Sequence, residues 1–216
     1  MADGVQQSQN VTAQAVFTYS DQPERPNVNR VDFMGFQFDP LDLDAAVRIV
    51  AARARARDPF QYVVTPNAAI AVARHQEPEI FAPLLANASL VLNDSRILQM
   101  LGGFSGVTLP VACGSDLTER LFETEIDADE EVVLIGGDAG VAKAVAQRYH
   151  LSKLRHHIPP MGLRSNTQAV ADAAAFAARH KARFTFIAVG CPQQEIVAKA
   201  IKDRGGRGVL GAGLAG

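Results

Sequence analysis

Asp94 closes an apolar run, residues 90–92, inside the sequence Asn93-Asp94-Ser95-Arg96. An unperturbed aspartate has a pKa near ~3.9, so it is ionised at neutral pH and can accept a proton. In a polar crevice such a group suits deprotonation of a hydroxyl nucleophile. Its competing role is to cap a helix starting near Ser95, an ordinary use of Asp. Arg96 offers either a phosphate contact or a solvated helix surface. Two other apolar runs end in the same manner. Residues 62–64 lead into Thr65-Pro66-Asn67, and residues 109–112 lead through Cys113 into Gly114-Ser115-Asp116. Backbone N–H groups at Gly114 and Ser115 could face a diphosphate. Asp116 would repel that anion and suits capping instead, since its spacing to Glu119 is that of a capping box.

Further along, Gly136-Gly137-Asp138-Ala139-Gly140 follows a buried run and precedes a helical segment. That order fits a phosphate held at a helix N-terminus, and equally a tight strand-to-helix turn with no ligand. The stretch Gly190-Cys191-Pro192-Gln193-Gln194-Glu195 supplies amide donors and acceptors suited to sugar hydroxyls, or simply the polar first turn of a helix with Glu195 at its positive end. The final six residues, GAGLAG, match GxGxxG by letter. A dinucleotide fingerprint needs a helix after the glycines and an acid about 20 residues on, and neither follows. No Lys-Ser/Thr pair of a P-loop is present, which disfavours nucleoside-triphosphate hydrolysis. The adjacent His156 and His157 have no metal-ligand spacing.

These loops need strands and helices to aim them. Hydrophobic periodicity predicts strands over 33–38, 61–64, 89–92, 109–112, 132–135, 155–158, 184–189 and 208–210. Helices are predicted from Asp42 or Asp44 to Arg57, over 68–76, 79–87 and 96–101, from a cap at Ser115 or Asp116 to Thr124, over 141–149, from Asn166 or Thr167 to His180, and over 193–202. Thr65 is a candidate cap for the second of these, with Pro66 in its first turn. Gly102, Gly103 and Gly106 are expected to break the helix after Leu101. Strands alternating with helices predict a Rossmann-like α/β fold, a mainly parallel sheet with helices on both faces. In such a sheet the carboxyl ends of the strands converge on a crevice where ligands bind, so three loops distant in sequence could build one polar site around Asp94.

Composition sets the class. The chain has 216 residues, 48% of them apolar, enough for one domain with a substantial core. A net charge of −2, no Trp and no basic stripe interleaved with aromatics argue against nucleic-acid binding. Two separated cysteines, Cys113 and Cys191, imply neither a zinc site nor a disulfide framework. Residues 1–30, rich in Gln, Asn, Ser and Pro, read as a flexible arm before a domain over 31–216. No signal pattern opens the chain, and no apolar run approaches the ~20 residues that span a bilayer. The expected location is cytoplasmic. Arg48, Arg53, Arg55 and Arg57 form either a solvated helix face or a weak contact to acidic lipid or phosphate.

Taken in order, VVTPN at 63–67, LVLNDS at 90–95, CGSDL at 113–117, IGGDAGVA at 135–142, PPMG at 159–162 and VGCPQQE at 189–195 resemble the WecG/TagA/CpsF glycosyltransferases, also called glycosyltransferase family twenty-six. The resemblance implies an inverting transferase that moves a sugar from a UDP-sugar to a polyprenyl-diphosphate-linked sugar. It implies work at the inner face of the cytoplasmic membrane, in assembly of surface polysaccharide, teichoic-acid linkage units or enterobacterial common antigen. No metal or other cofactor is expected. The family's base falls on Asp94, its Thr and Asn on Thr65 and Asn67, and its pocket Gln on Gln194. The candidate binding set becomes Thr65, Asn67, Asn93, Ser95, Arg96, Gly114, Ser115, Gly136, Gly137, Gly190, Pro192, Gln194 and Glu195.

The chain departs from the family pattern in three places. Val111 stands where many members have Arg, and Cys113 where they have Thr. Asp94 is followed by Ser95 rather than Gly. The basic C-terminal tail of the family does not follow Gly216, so a natural C-terminal segment is expected to be missing; self-association of the domain is a further expectation. Val111 and the tail together motivate a rival, a non-catalytic nucleotide-sugar-binding or scaffold protein of the same assembly line.

Overall fold

A computed structural model describes residues 29–56, 59–180, 182–206 and 208–211. The arm expected over 1–30 lies outside these residues except for Asn29 and Arg30, and so does most of GAGLAG. Arg30 forms an ion pair of 3.0 Å with the buried Asp39.

Six parallel strands make the central sheet: β3 (Gln61–Val64), β4 (Leu90–Val91), β5 (Glu131–Gly136), β6 (Lys153–His157), β7 (Phe184–Ala188) and β8 (Val209–Gly211). Their spatial order is β4-β3-β8-β7-β5-β6. Both faces are covered, as the continuous apolar runs in β3, β5 and β7 require of a parallel sheet. Because side chains alternate along a strand, neighbours in sequence enter opposite cores. Tyr62, Val64, Val133, Ile135 and Ile187 pack on one side. Helices α2 (Ala68–Gln76), α4 (Arg96–Phe104), α7 (Thr167–Arg179) and α8 (Gln193–Asp203) contribute to that core. Val63, Leu90, Val132, Leu134, Phe184 and Phe186 pack on the other, against α1 (Leu43–Ala56), α5 (Gly114–Thr124) and α6 (Ala139–Arg148). Helix α3 (Pro78–Asn87) buries Phe81 and Leu84, and the Tyr62 hydroxyl donates to the Leu84 carbonyl.

Four expectations are corrected. The strand predicted over 33–38 is a hairpin, β1 (Val31–Phe33) and β2 (Phe36–Phe38), turned by Met34 and Gly35 at φ 49° and 76°. Two positive φ values in a two-residue loop are the turn geometry that matches strand twist. Residues 109–112 form no strand; the segment is held by the β4 loop instead. Helix α4 runs through Gly102 and Gly103 to Phe104, because Gly102 lies against Leu109 and the Val107 carbonyl, where a side chain would crowd the turn. The cap of α2 is Asn67, not Thr65: its side-chain oxygen accepts from the Ile70 N–H at 3.0 Å. Pro66 therefore precedes the helix. On α1, Arg55 pairs with Glu125 and Arg53 reaches the Ser89 carbonyl at 3.5 Å, so these two serve the fold; Arg57 lies outside the described residues. Asp39, after β2, exchanges backbone and side-chain hydrogen bonds with Val91 and so fastens the hairpin to the β4 edge.

Candidate functional site

The carboxyl ends of β3 and β4 and the start of α5 are tied together by hydrogen bonds. The Asp94 N–H donates to the Pro66 carbonyl at 3.0 Å, and the Ala112 N–H donates to the Asn93 carbonyl at 2.9 Å. Asn93 is 2% exposed, and its amide donates to the Pro110 carbonyl at 3.3 Å. That contact and the Ala112 N–H bond hold residues 109–112 against the β4 loop without making them a strand of the sheet.

The two roles considered for Asp94 now separate. Ser95, not Asp94, caps α4, its hydroxyl accepting from the Leu98 N–H at 3.2 Å. Asp94 is half-buried and turns the other way, its Oδ2 accepting from the Gly114 N–H at 3.1 Å. Gly114 is the first residue of α5, so the carboxylate faces the positive end of an 11-residue helix, which favours negative charge there. The Cys113 thiol hydrogen-bonds the same carboxylate. Burial, with Asp94 beside it, pushes that thiol up to about 11, while the Arg96 charge pulls it the other way. Cys113 is thus a protonated donor to Asp94 near neutral pH, a role that sequence reading missed. Its position just before the predicted helix start was the available signal. Asp116 lies in the first turn of α5 and does not cap it; Ser115 is exposed, with its hydroxyl 3.4 Å from Asp116.

A second cluster lies beside Thr65. Tyr62, Val63, Val64, Thr65, Ile187, Gln194 and Glu195 line a cavity of about 10 Å³, room for one water molecule. Glu195 is 4% exposed. Its Oε1 accepts from the Gln194 amide at 2.9 Å, while its Oε2 and the Gln194 Oε1 have no partner. Burial pushes the Glu195 carboxyl above the usual carboxylate range and pushes the neighbouring Cys191 thiol up as well. Cys191-Pro192 is a cis peptide, and Gly190 has φ 77°.

The third cluster is a cavity of about 350 Å³ lined by Gly136, Gly137, Asp138, the 158–163 loop, Ala188, Val189 and Gln193. Gly136 has φ 92°, and a Cβ there would fall 2.3 Å from the Ala188 carbonyl oxygen. Only glycine lets β5 pass β7 at this point. Asp138 caps α6, accepting from the Val141 N–H at 2.8 Å. His156, assigned no chemistry from sequence, has its Nε2 2.9 Å from the Gly136 carbonyl and steadies this turn. His157 stacks on Phe176, and burial lowers its pKa.

Asn93, Asp94 and Gly114 are joined directly; Thr65 meets Gln194 and Glu195; Gly136 and Gly137 meet Gln193. The Thr65-Pro66 loop bridges the first two groups. Asn67, Ser95, Arg96 and Ser115 lie at helix starts beside them, with Asn67 and Arg96 exposed. Among the described residues no cluster of three or more metal-ligating side chains occurs, and no helix is long and apolar enough to cross a membrane.

A parallel α/β sheet with polar loops gathered at its carboxyl edge defines a Rossmann-like protein with its candidate site at the strand ends. The sequence model of the Glycosyl transferase WecG/TagA/CpsF family matches residues 31–215, and the chain belongs to that family. It is accordingly a glycosyltransferase of cell-surface polysaccharide biosynthesis, a class that takes a nucleotide-sugar donor and a lipid-linked acceptor. No curated protein matches the chain.

Proposed function

We propose that the protein transfers a hexosyl or N-acetylhexosaminyl group from a UDP-sugar to a hydroxyl of a polyprenyl-diphosphate-linked sugar, with inversion and without a metal. Asp94 is the base. The acceptor O–H gives its proton to the Asp94 carboxylate as the oxygen attacks the anomeric carbon, and the bond from that carbon to the diphosphate oxygen breaks. UDP leaves carrying the electron pair and the negative charge. The positive ends of α6 and α8, where the Gly136-Gly137 and Gly190–Gln193 loops enter them, suit that charge. The cavity of about 350 Å³ has room for part of a nucleotide. Gln194 and Thr65 would orient sugar hydroxyls, and Arg96, beside Cys113, would supply the cation that Val111 does not.

The observation that carries this reading is the direction of Asp94: freed from capping its own helix by Ser95, it lies half-exposed against the start of α5. The test is transfer from a panel of UDP-sugars to a polyprenyl-diphosphate-sugar, with UDP titrated by calorimetry. Asp94→Asn is expected to lower kcat by about 10²–10⁴-fold, the range for general-base catalysis, and to leave UDP affinity within about twofold. Full turnover by Asp94→Asn would remove the base assignment. Binding of another nucleotide in preference to UDP would remove the donor class.

A further inference from the structure

Glu195 is a carboxyl that the proposed reaction does not use, and it is 4% exposed. It stands in the first turn of α8, where a helix favours negative charge, yet burial drives it toward its neutral form. Its Oε1 accepts from the Gln194 amide at 2.9 Å, and the Cys191 thiol hydrogen-bonds the same carboxyl. Among the described residues its Oε2 has no partner, and neither has the Gln194 Oε1. Both residues line the cavity of about 10 Å³ that has Thr65, the residue after β3, in its wall.

Two oxygens cannot satisfy each other unless one of them carries a proton. A neutral carboxyl has one proton to place. Oε1 already accepts, so the proton belongs on Oε2, which then donates into the cavity. The Gln194 Oε1 can only accept. A single water between them accepts from Oε2, donates to the Gln194 Oε1, and keeps a hydrogen and a lone pair for the Thr65 hydroxyl. The volume is that of one water, and a buried water takes about two to four such partners. A sugar ring or an acetamido group is too large for it. The other walls are Tyr62, Val63, Val64 and Ile187, and the Tyr62 hydroxyl donates to the Leu84 carbonyl.

This anchoring has a direction. A glutamine amide has two N–H donors and one acceptor oxygen. One N–H is fixed on Glu195 and the oxygen is turned to the water, so one N–H is left to face a ligand. Without Glu195 the amide is free to turn over and present its oxygen instead.

We propose that this cavity holds one ordered water and that Glu195 is a positioning residue, acting through that water and its own contact with Gln194 to fix the Gln194 amide and the Thr65 hydroxyl toward the donor sugar. This rests on the proposed role of those two side chains, and adds that Gln194 meets the sugar as a hydrogen-bond donor.

The test uses the full chain. Crystals of the wild type and of Glu195→Gln should each show one ordered water within hydrogen-bond distance of the Gln194 Oε1. Glu195→Gln keeps an acceptor toward Gln194 and a donor toward the cavity; Glu195→Leu fills similar space and has neither. Calorimetry compares UDP with the tighter bound of UDP-glucose and UDP-N-acetylglucosamine. Glu195→Gln is expected to bind both ligands within about twofold of the wild type. Glu195→Leu is expected to bind UDP within about twofold but the sugar nucleotide about tenfold or more weakly, the scale of one lost hydrogen bond. In transfer assays Glu195→Leu should raise KM for the sugar nucleotide and spare kcat, the reverse of Asp94→Asn. A loss by Glu195→Gln equal to that by Glu195→Leu would overturn the inference, since the carboxyl itself would then be required. So would a folded Glu195→Leu that binds both ligands as the wild type does. If Glu195→Leu does not fold, the crystals decide: no water between Glu195 and Gln194 overturns the inference without it. Failure of the wild type to bind any of these ligands removes the proposed donor class, whereas donor binding beside a dry cavity removes this inference alone.

Discussion

The crevice has two halves that treat a carboxylate in opposite ways. In the half built on β3, β4 and α5, Asp94 is half-exposed, accepts an N–H from Gly114 and a thiol proton from Cys113, and faces a helix N-terminus. In the half built on β7 and α8 against the wall of β3, Glu195 is buried, accepts from the Gln194 amide and the Cys191 thiol, and is pushed toward its neutral form by burial. Each acid has a cysteine beside it. What differs is solvation: burial pushes the Glu195 carboxyl up, while Asp94 lies half-exposed at the start of α5. The first half ties Asp94 to the Gly114 N–H and leaves one buried oxygen, the Asn93 Oδ1, open. The second leaves buried oxygens of Gln194 and Glu195 open, and polar atoms left open in a built cavity are suited to a ligand or a water.

Beyond the loss expected for Asp94→Asn, the largest effect should come from forcing the second half apart. Gly136→Ala places a Cβ against the Ala188 carbonyl at a φ that side chains rarely adopt. It is expected to cost about 2–4 kcal/mol in chemical denaturation and to abolish nucleotide binding. A stable variant that still binds UDP would show that the close approach of β5 and β7 is not needed there.

The next test uses pH. A carboxyl whose folded pKa is raised keeps its proton in the folded state after the unfolded chain has released it. Its contribution is therefore present below the unfolded value, near 4.5, and is lost as pH rises through the folded value. Glu195→Gln removes that loss. The melting temperature of Glu195→Gln minus that of the wild type should rise from pH 4 toward neutrality. A flat difference would mean that Glu195 is as well solvated as Asp94 and would dissolve the contrast between the halves. The smallest effect is expected from Ser95→Ala, which removes the α4 cap at a cost of about 1 kcal/mol. Asp94 would then be the nearest substitute cap. Activity that falls more than the stability change explains would show that Ser95 keeps Asp94 free for Gly114.

Much of this arrangement could be read from residue order. The runs at β3, β5 and β7 are apolar and rich in β-branched or aromatic residues, and strands form there. Other features depended on contacts that no local pattern contains. Residues 109–112 look like a strand, yet their hydrogen bonds with Asn93 hold them against the β4 loop without making them a strand of the sheet. Gly102 and Gly103 look like breakers, yet packing against Leu109 carries α4 past them, since tertiary contact overrides weak propensity. Thr65 and Asn67 are both good caps by type, and only backbone geometry chose Asn67. The direction of Asp94 was undetermined for the same reason, because its partner Gly114 is 20 residues away. The family resemblance supplied the candidate residues but not this geometry.

The place of β8 has a consequence for how the protein is made. Strands β4 and β3 meet β7, β5 and β6 only through β8, the latest strand in the described chain. While a ribosome is still adding the residues before Val209, the two partial sheets have no backbone bridge between them. Both carry an unpaired inner edge, the kind that invites pairing with other chains. Closure thus waits on long-range contacts, which are slow to form. The nascent chain should depend on chaperone cover until the keystone strand arrives, and a nonsense codon shortly before it should yield an aggregating product rather than a smaller enzyme.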